Sequence, residues 1–465
     1  MATGVTSVSE RAVDEFGDEF RGNLLAPGDP GYDEARSVWN GMIERRPALV
    51  AQCQGVADVM AAVNFARRSD LLVAVKGGGH HIAGNAVCDD GLVVDLSSMT
   101  SVQVDPAAKT ARVEPGATLA DFDHEAQAFG LATPLGINST TGVAGLTLGG
   151  GFGWLTRKYG MTVDNLRSVD VVTADGDLVT ANEAENPDLF WGVRGGSGNF
   201  GVVTAFEFDL HEVGPEVLAG PIVYAGEDAP DVVRHVRDFN ADSPDEAAVW
   251  VILRKAPPLP FLPENVHGVG VVIVVPFYAG DVEEGEAVLA PVLEYGDPIA
   301  NAVAPHRYAE FQQAFDPLLT EGARNYWKSH NFSALSDEAI DTVFEYAADL
   351  PSPLSEIFFG QIGGKMAEVP ADATAYPHRD AEYAMNVHVR WEDPADDERC
   401  IAWAREFFDA MAPYATGGVY VNFVSEREGE ENLAYGDNYD RLVEVKNEYD
   451  PTNLFHVNQN VEPTA

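Results

Sequence analysis

An apolar run at residues 71–75 passes through Lys76 into Gly77-Gly78-Gly79 and then His80-His81, and this restricts the fold of the chain more sharply than any other feature. Three consecutive glycines let backbone come within hydrogen-bonding distance of a ligand and turn its N–H groups into one concavity, which suits a pyrophosphate. A tight turn between two strands would use the same residues, so the run gains meaning from repetition. Residues 136–154 and 190–204 repeat it, with glycines and small hydroxyl residues packed between apolar segments. That composition is expected where backbone lines a long, flat, phosphate-containing ligand. Together the three segments imply a dinucleotide.

The surrounding pattern alternates strands and helices. Residues 48–51 read as a strand, 56–68 carry helical apolar spacing, and 71–75 form the next strand, a β-α-β unit that feeds the glycine turn. Residues 169–180 read as a hairpin turned by Asp175-Gly176. Beyond Gly214 the strands lengthen and alternate, separated by helices predicted at 337–348 and 398–411, so a domain boundary falls there. Alternation within a strand at 325–330 would put Tyr326, Lys328 and His330 on one face, and one at 385–391 would do the same for Asn386, His388 and Arg390. Residues 417–423 read as a further strand with Tyr420 and Asn422 on the same side.

At 465 residues and 46% hydrophobic composition the chain can bury a large core in two or three lobes. Its 74 acidic against 29 basic residues give a formal net charge of -45, spread along the whole length. Such a surface repels nucleic acid and anionic membranes, and its self-repulsion destabilises the compact state at low salt, so a salt-rich cytoplasm is the expected setting. Cys53, Cys88 and Cys400 are too scattered for a disulfide framework or a metal site. Adjacent histidines such as His80 and His81 point divergently, and no carboxylate has ligand spacing to them, so no metal is expected. Residues 1–7 lack the blocks of a signal peptide, and the longest apolar run, 269–275, is too short for a bilayer. A cytoplasmic protein without membrane or nucleic-acid partners is expected.

In the order and spacing of its glycine segments the chain resembles the FAD-linked oxidases of the berberine-bridge-enzyme-like group, within the superfamily of vanillyl-alcohol oxidase and p-cresol methylhydroxylase. The resemblance runs from about Tyr32 to the C-terminal tail. It implies an α+β fold: a two-lobed FAD-binding domain of the p-cresol methylhydroxylase type, and a substrate domain with a large antiparallel sheet flanked by helices. Residues 1–40 would pack on the FAD domain, 41–214 would form it, 215–432 would form the substrate domain, and 433–465 would return to the FAD domain. His80 falls where the family bonds the 8α-methyl of the flavin. The family's second anchor, a cysteine four residues before Gly142, is Asn138 here, which implies a single covalent link. Gly77, Gly78, Gly79, Asn138, Ser139, Thr140, Thr141, Gly142, Gly145 and Val203 are expected around FAD. Asn458 is the better match, and Asn460 the second, for the asparagine of the family's final motif. His81 is either a further polar contact or a solvated loop residue.

The implied chemistry is hydride transfer from a carbon bearing a hydroxyl or amine to the flavin. In the family a tyrosine matching Tyr420 accepts the substrate proton, and a phenol near pKa 10 needs a partner that lowers its pKa. Tyr420, Asn422 and His388 are the expected catalytic residues, with Tyr326, Lys328, His330 and Asn386 toward the substrate. Thr141 stands where the family gates oxygen and is close to the permissive valine in shape, so dioxygen is the expected acceptor, giving hydrogen peroxide. A dehydrogenase with another acceptor and a non-catalytic flavin-binding protein are the alternatives. Sugars and other small hydroxyl compounds are the default donors.

Overall fold

The computed structural model describes residues 10–425 and 430–464; the N-terminal stretch 1–7 considered above lies outside them. The architecture is the α+β one that the resemblance implies. In the first lobe β1 (Leu49–Gln52), α1 (Val56–Ser69), β2 (Val73–Lys76) and β3 (Leu92–Asp95) form a parallel unit with β3 between β1 and β2. These strands are short apolar runs covered on both faces, as parallel strands require. The stripe Val59, Ala62, Val63 and Ala66 packs α1 against them.

In the second lobe, β4 (Val102–Asp105) and β5 (Thr110–Val113) lead through α2 (Leu119–Gln127) and α3 (Val143–Leu148) to β6 (Leu166–Val172), β7 (Leu178–Asn182) and β8 (Val202–Asp209). They make an antiparallel sheet of order β4-β5-β8-β6-β7. The β6–β7 hairpin turns at Asp175-Gly176 as expected, Gly176 taking a φ of 83°.

The second domain is built on a nine-stranded antiparallel sheet. Its main strands are β9 (Ile222–Ala225), β10 (Ala247–Lys255), β11 (Gly270–Tyr278), β12 (Arg324–Phe332), β13 (Glu356–Gln361) and β14 (Tyr383–Trp391), in the order β9-β11-β10-β13-β14-β12. Four helices cover one face: α4 (Ala229–Ala241), α5 (Val282–Leu293), α6 (Asp337–Ala347) and α7 (Asp397–Met411). Alternation divides the strands cleanly. Val249, Val251, Leu253, Met385, Val387 and Val389 lie under the helices, whereas Trp250, Ile252, Phe358 and Ala384 lie on the opposite face, where Trp154 stacks on Trp250 at 4.1 Å. Each fully buried Val, Leu, Ile, Phe or Met side chain contributes about 1.5–3 kcal/mol.

Residues 417–423 do not form the expected strand. The chain runs beside the edge strand β12, with Asn331 N–H donating to the Gly418 carbonyl at 3.1 Å and Tyr420 N–H to Ser329 Oγ at 3.0 Å, and then winds into a 3-10 turn, Val421–Phe423. The chain then returns to the first domain. Helix α8 (Tyr439–Tyr449) packs Leu442 and Val445 on Leu189 and Phe190, and fully buried Lys446 pairs with Asp450 at 2.7 Å while donating to the carbonyls of Asn199 and Phe455. Among the described residues no helix is long and apolar enough to cross a membrane.

Candidate active site

One long cavity, about 1870 Å³ with its open mouth included, runs from the glycine turns of the FAD domain to the free face of the large sheet. Gly77–Gly79, Gly142, Gly145, Gly198 and Val203 line it. Glycine is required where two turns meet: a Cβ on Gly78 would lie 2.5 Å from the backbone nitrogen of Gly142, and one on Gly142 would lie 2.6 Å from that of Gly78. Gly145 and Gly198 are glycine for a different reason. A Cβ there meets no protein atom within 4 Å, so it would enter the space left for a ligand. Asn458 lines the same wall, its amide nitrogen held by the carbonyls of Gly198 and Phe455 and its buried Oδ1 without a partner among the described residues. A backbone trough with an unsatisfied acceptor at its side fits FAD.

His80 sits in the wall of this trough, half-buried, with its ring stacked on Trp39 at 5.1 Å and Nε2 3.0 Å from Thr140 Oγ1. Burial lowers its pKa to about 4, so the imidazole is neutral, and nucleophilic, near pH 7. Thr140 itself leans on Asn138 Oδ1 at 2.8 Å. His81, Asn138 and Thr141 line the cavity. Ser139 does not. Its N–H and hydroxyl bond the Asp316 carboxylate at 2.9 and 2.6 Å, stapling this loop to the second domain. Of the two asparagines of the tail, Asn458 reaches the cavity and Asn460 is outside its lining.

At the far end Tyr420, Asn422, His388, Glu356 and Asn386 converge among Trp250, Trp327, Phe358 and Phe423. Tyr420 Oη receives two hydrogen bonds, from Asn422 Nδ2 at 2.9 Å and from Gly151 N–H at 3.1 Å. The 3-10 turn, not strand alternation, brings Asn422 back onto Tyr420. Burial pushes the phenol up to about 12, partly offset by those two donors. On the sheet, His388 Nδ1 lies 3.0 Å from Glu356 Oε1, and the other oxygen of Glu356 takes Arg254 at 2.7 Å. Burial alone would raise Glu356, but Arg254, the His388 hydrogen bond and Arg390 outweigh it and hold the carboxyl near 2. An ionised Glu356 fixes His388 as the Nδ1–H tautomer, leaving a lone pair on Nε2, which is buried and unpartnered among the described residues. Asn386 Oδ1 is likewise buried without a partner, and both side chains line the cavity.

Tyr326, Lys328 and His330 are not at the site. The register of β12 pairs Trp327 with His388 and Tyr326 with Val389, so the odd-numbered residues of β12 share the cavity face. His330 stacks on Phe408 of α7 at 3.9 Å, Lys328 Nζ lies 4.4 Å over the same ring, and Tyr326 belongs to the core under the helices. Trp327 takes the place foreseen for them. Glu356, Arg254, Trp39 and the Gly151 N–H were also unforeseen. Gly151 stood in a quoted glycine segment, while Glu356 and Arg254 carry no local signal because their pairing crosses 102 residues of sequence.

The sequence model of the FAD binding domain family matches residues 47–182, and that of the berberine and berberine-like family matches 419–462. The (R)-6-hydroxynicotine oxidase of Paenarthrobacter nicotinovorans is 31% identical over 460 residues, covering 96% of this chain and 97% of that protein. A xylooligosaccharide oxidase of Thermothelomyces thermophilus is 29% identical over 488 residues, covering 97% and 94%. The crystal structure of 6-hydroxy-D-nicotine oxidase from Arthrobacter nicotinovorans superposes with a TM-score of 0.86 at 28% identity, over 95% of this chain and 98% of that one. A relative this similar along nearly the whole of both chains, with the two family matches meeting around one cavity, places the chain in the berberine-bridge-enzyme-like family of FAD-linked oxidoreductases.

Proposed function

We propose that the protein is an oxidase that takes a hydride from a CH–OH, or CH–NH, carbon of a small organic donor, with FAD held through one bond to His80 and dioxygen as the acceptor. The observation that carries the proposal is the continuity of the cavity, which joins a glycine trough beside a neutral histidine to the Tyr420–Asn422–His388 cluster. The names of the relatives point to sugars and to hydroxylated amines, and a sugar or other alcohol is the first choice.

FAD, when bound, supplies the hydride acceptor; the protein positions the donor and handles its proton. Two groups could take that proton. Ionising a phenol at about 12 near pH 7 costs ~7 kcal/mol, since each pKa unit is worth ~1.4 kcal/mol. His388 turns Nδ1 to Glu356 and leaves Nε2 without a partner among the described residues, so its geometry lets Nε2 receive the proton. Tyr420 accepts two N–H bonds and therefore has its own hydrogen free to hold the donor's oxygen. Asn386 Oδ1 offers a further acceptor for a neighbouring hydroxyl. Trp250, Trp327, Phe358 and Phe423 exclude water from the reacting carbon.

The test is to denature the purified protein in acid and weigh the polypeptide. A yellow pellet heavier by one FAD, mapping to the His80 peptide, is expected, followed by peroxide release in a screen of sugars, alcohols and hydroxylated amines. A colourless pellet of unmodified mass removes the covalent link. Bleaching by a donor that persists in air removes dioxygen as acceptor.

We also attribute the net charge of -45 to life in a salt-rich cytoplasm. Molar potassium chloride is expected to raise Tm by about 5 °C or more over dilute buffer, as screening recovers a few kcal/mol. A Tm that is flat across that range overturns the attribution.

A further inference from the structure

We infer that Asn138 and Thr140 are positioning residues for the flavin bond, holding His80 in the tautomer whose Nδ1 lone pair attacks the 8α carbon of FAD. This rests on the covalent reading above and adds the device that prepares the histidine. The argument is a count of hydrogens. The backbone N–H of Thr140 points at Asn138 Oδ1, 3.2 Å away. An N–H can only donate, so the amide of Asn138 turns its oxygen, not its NH₂, toward Thr140. Thr140 Oγ1 is 2.8 Å from the same oxygen and gives its single hydrogen to it. The hydroxyl then has only a lone pair to offer His80 Nε2 at 3.0 Å. Nε2 therefore carries the ring hydrogen, and in a neutral imidazole the lone pair belongs to Nδ1.

Two further contacts suit this arrangement. Nδ1 makes no hydrogen bond to another described residue, and the ring plane is held by the indole of Trp39. Burial keeps the ring uncharged and so able to attack. The position at which the resemblance expects a second flavin anchor is thus occupied by a residue that orients the first.

The step balances as follows. The Nδ1–C bond forms and one C–H bond of the 8α methyl breaks; that proton leaves to water and the electron pair stays in the flavin ring. The alkylated imidazole is briefly cationic, and its charge is stabilised by the Nε2–H bond to Thr140 Oγ1 until the Nε2 proton also leaves. Dioxygen takes the electron pair with two protons, giving hydrogen peroxide and the oxidised flavin.

The experiment follows adduct formation in full-length protein produced with little riboflavin and then given FAD. Samples are denatured in acid at intervals and weighed intact, for wild type, Thr140→Val, Thr140→Ser and Asn138→Ala. Before acid all four are expected to bind FAD, seen in the visible spectrum. Thr140→Val should form the adduct about tenfold or more slowly, the scale of losing an orienting partner of a histidine. Thr140→Ser should keep the wild-type pace. Asn138→Ala should be slow as well, because the freed hydroxyl can donate to Nε2 and favour the other tautomer. NMR of the flavin peptide should place the link on Nδ1. Formation in Thr140→Val at the wild-type rate, or a link through Nε2, overturns the relay while leaving the covalent reading intact. A wild type that never gains mass overturns both.

Discussion

Replacing His388 with alanine is expected to slow reduction of the flavin by its donor by about 10²- to 10⁴-fold, the usual worth of a positioned general base, while the bound flavin keeps its spectrum. Stopped-flow absorbance without oxygen measures this directly, with the donor returned by the peroxide screen. Glu356→Gln should lose nearly as much. A glutamine can turn its NH₂ toward Nδ1 and leave the hydrogen on Nε2, the wrong tautomer in the right place. Tyr420→Phe keeps the ring against Phe152 and Phe423 at 4.9 and 4.8 Å but leaves the donors on Asn422 and Gly151 without their acceptor. Those unpaired groups cost stability of ~1–3 kcal/mol, and the lost hydrogen bond from the hydroxyl to the donor's oxygen is expected to slow reduction about tenfold. If Tyr420→Phe abolishes reduction and His388→Ala barely slows it, the phenol is the base and the assignment to His388 is wrong.

The second large effect concerns the tail. Lys446 and Asp450 are both fully buried, and around this pair the carbonyls of Asn199 and Phe455 and the N–H groups of Leu454 and Phe455 are all satisfied. Lys446→Met leaves a buried carboxylate without its cation and is expected to cost ~3–5 kcal/mol in denaturant unfolding. The same change should weaken retention of non-covalent FAD in a His80→Ala background, because Phe455, Val457 and Asn458 of this segment line the cavity. Adding Asp450→Leu to Lys446→Met should recover part of the stability, since removing both charges removes the unpaired one. A loss under about 1 kcal/mol in the single variant would mean that water reaches the pair.

What the sequence revealed follows from the range of the forces involved. The β1-α1-β2 unit, the β6–β7 hairpin and the glycine turns are set by neighbouring residues, through apolar period and backbone freedom, and all were legible. The parity of β12 was not. Tyr326, Lys328 and His330 on one face and Trp327 on the other are both plausible linings, and only pairing with β14 decides between them. Residues 417–423 carry strand-like alternation, yet run beside β12 with side-chain bonds in place of a full ladder and wind into a 3-10 turn, so Tyr420 and Asn422 meet through a turn. Ser139 looked like its neighbours in a flavin loop until Asp316, 177 residues away, was placed beside it. Glu356 and Arg254 pair across strands and leave no trace in either stretch of chain.

The alternation of the large sheet separates two kinds of side chain. Val387 and Val389 pack beneath the helices of the domain, while Asn386 and His388, interleaved with them on β14, line the cavity. On strands built in this way a cavity-facing side chain can be exchanged without disturbing the packing beneath the helices, so the chemistry of the lining and the stability of the domain are set by separate residues of the same strand.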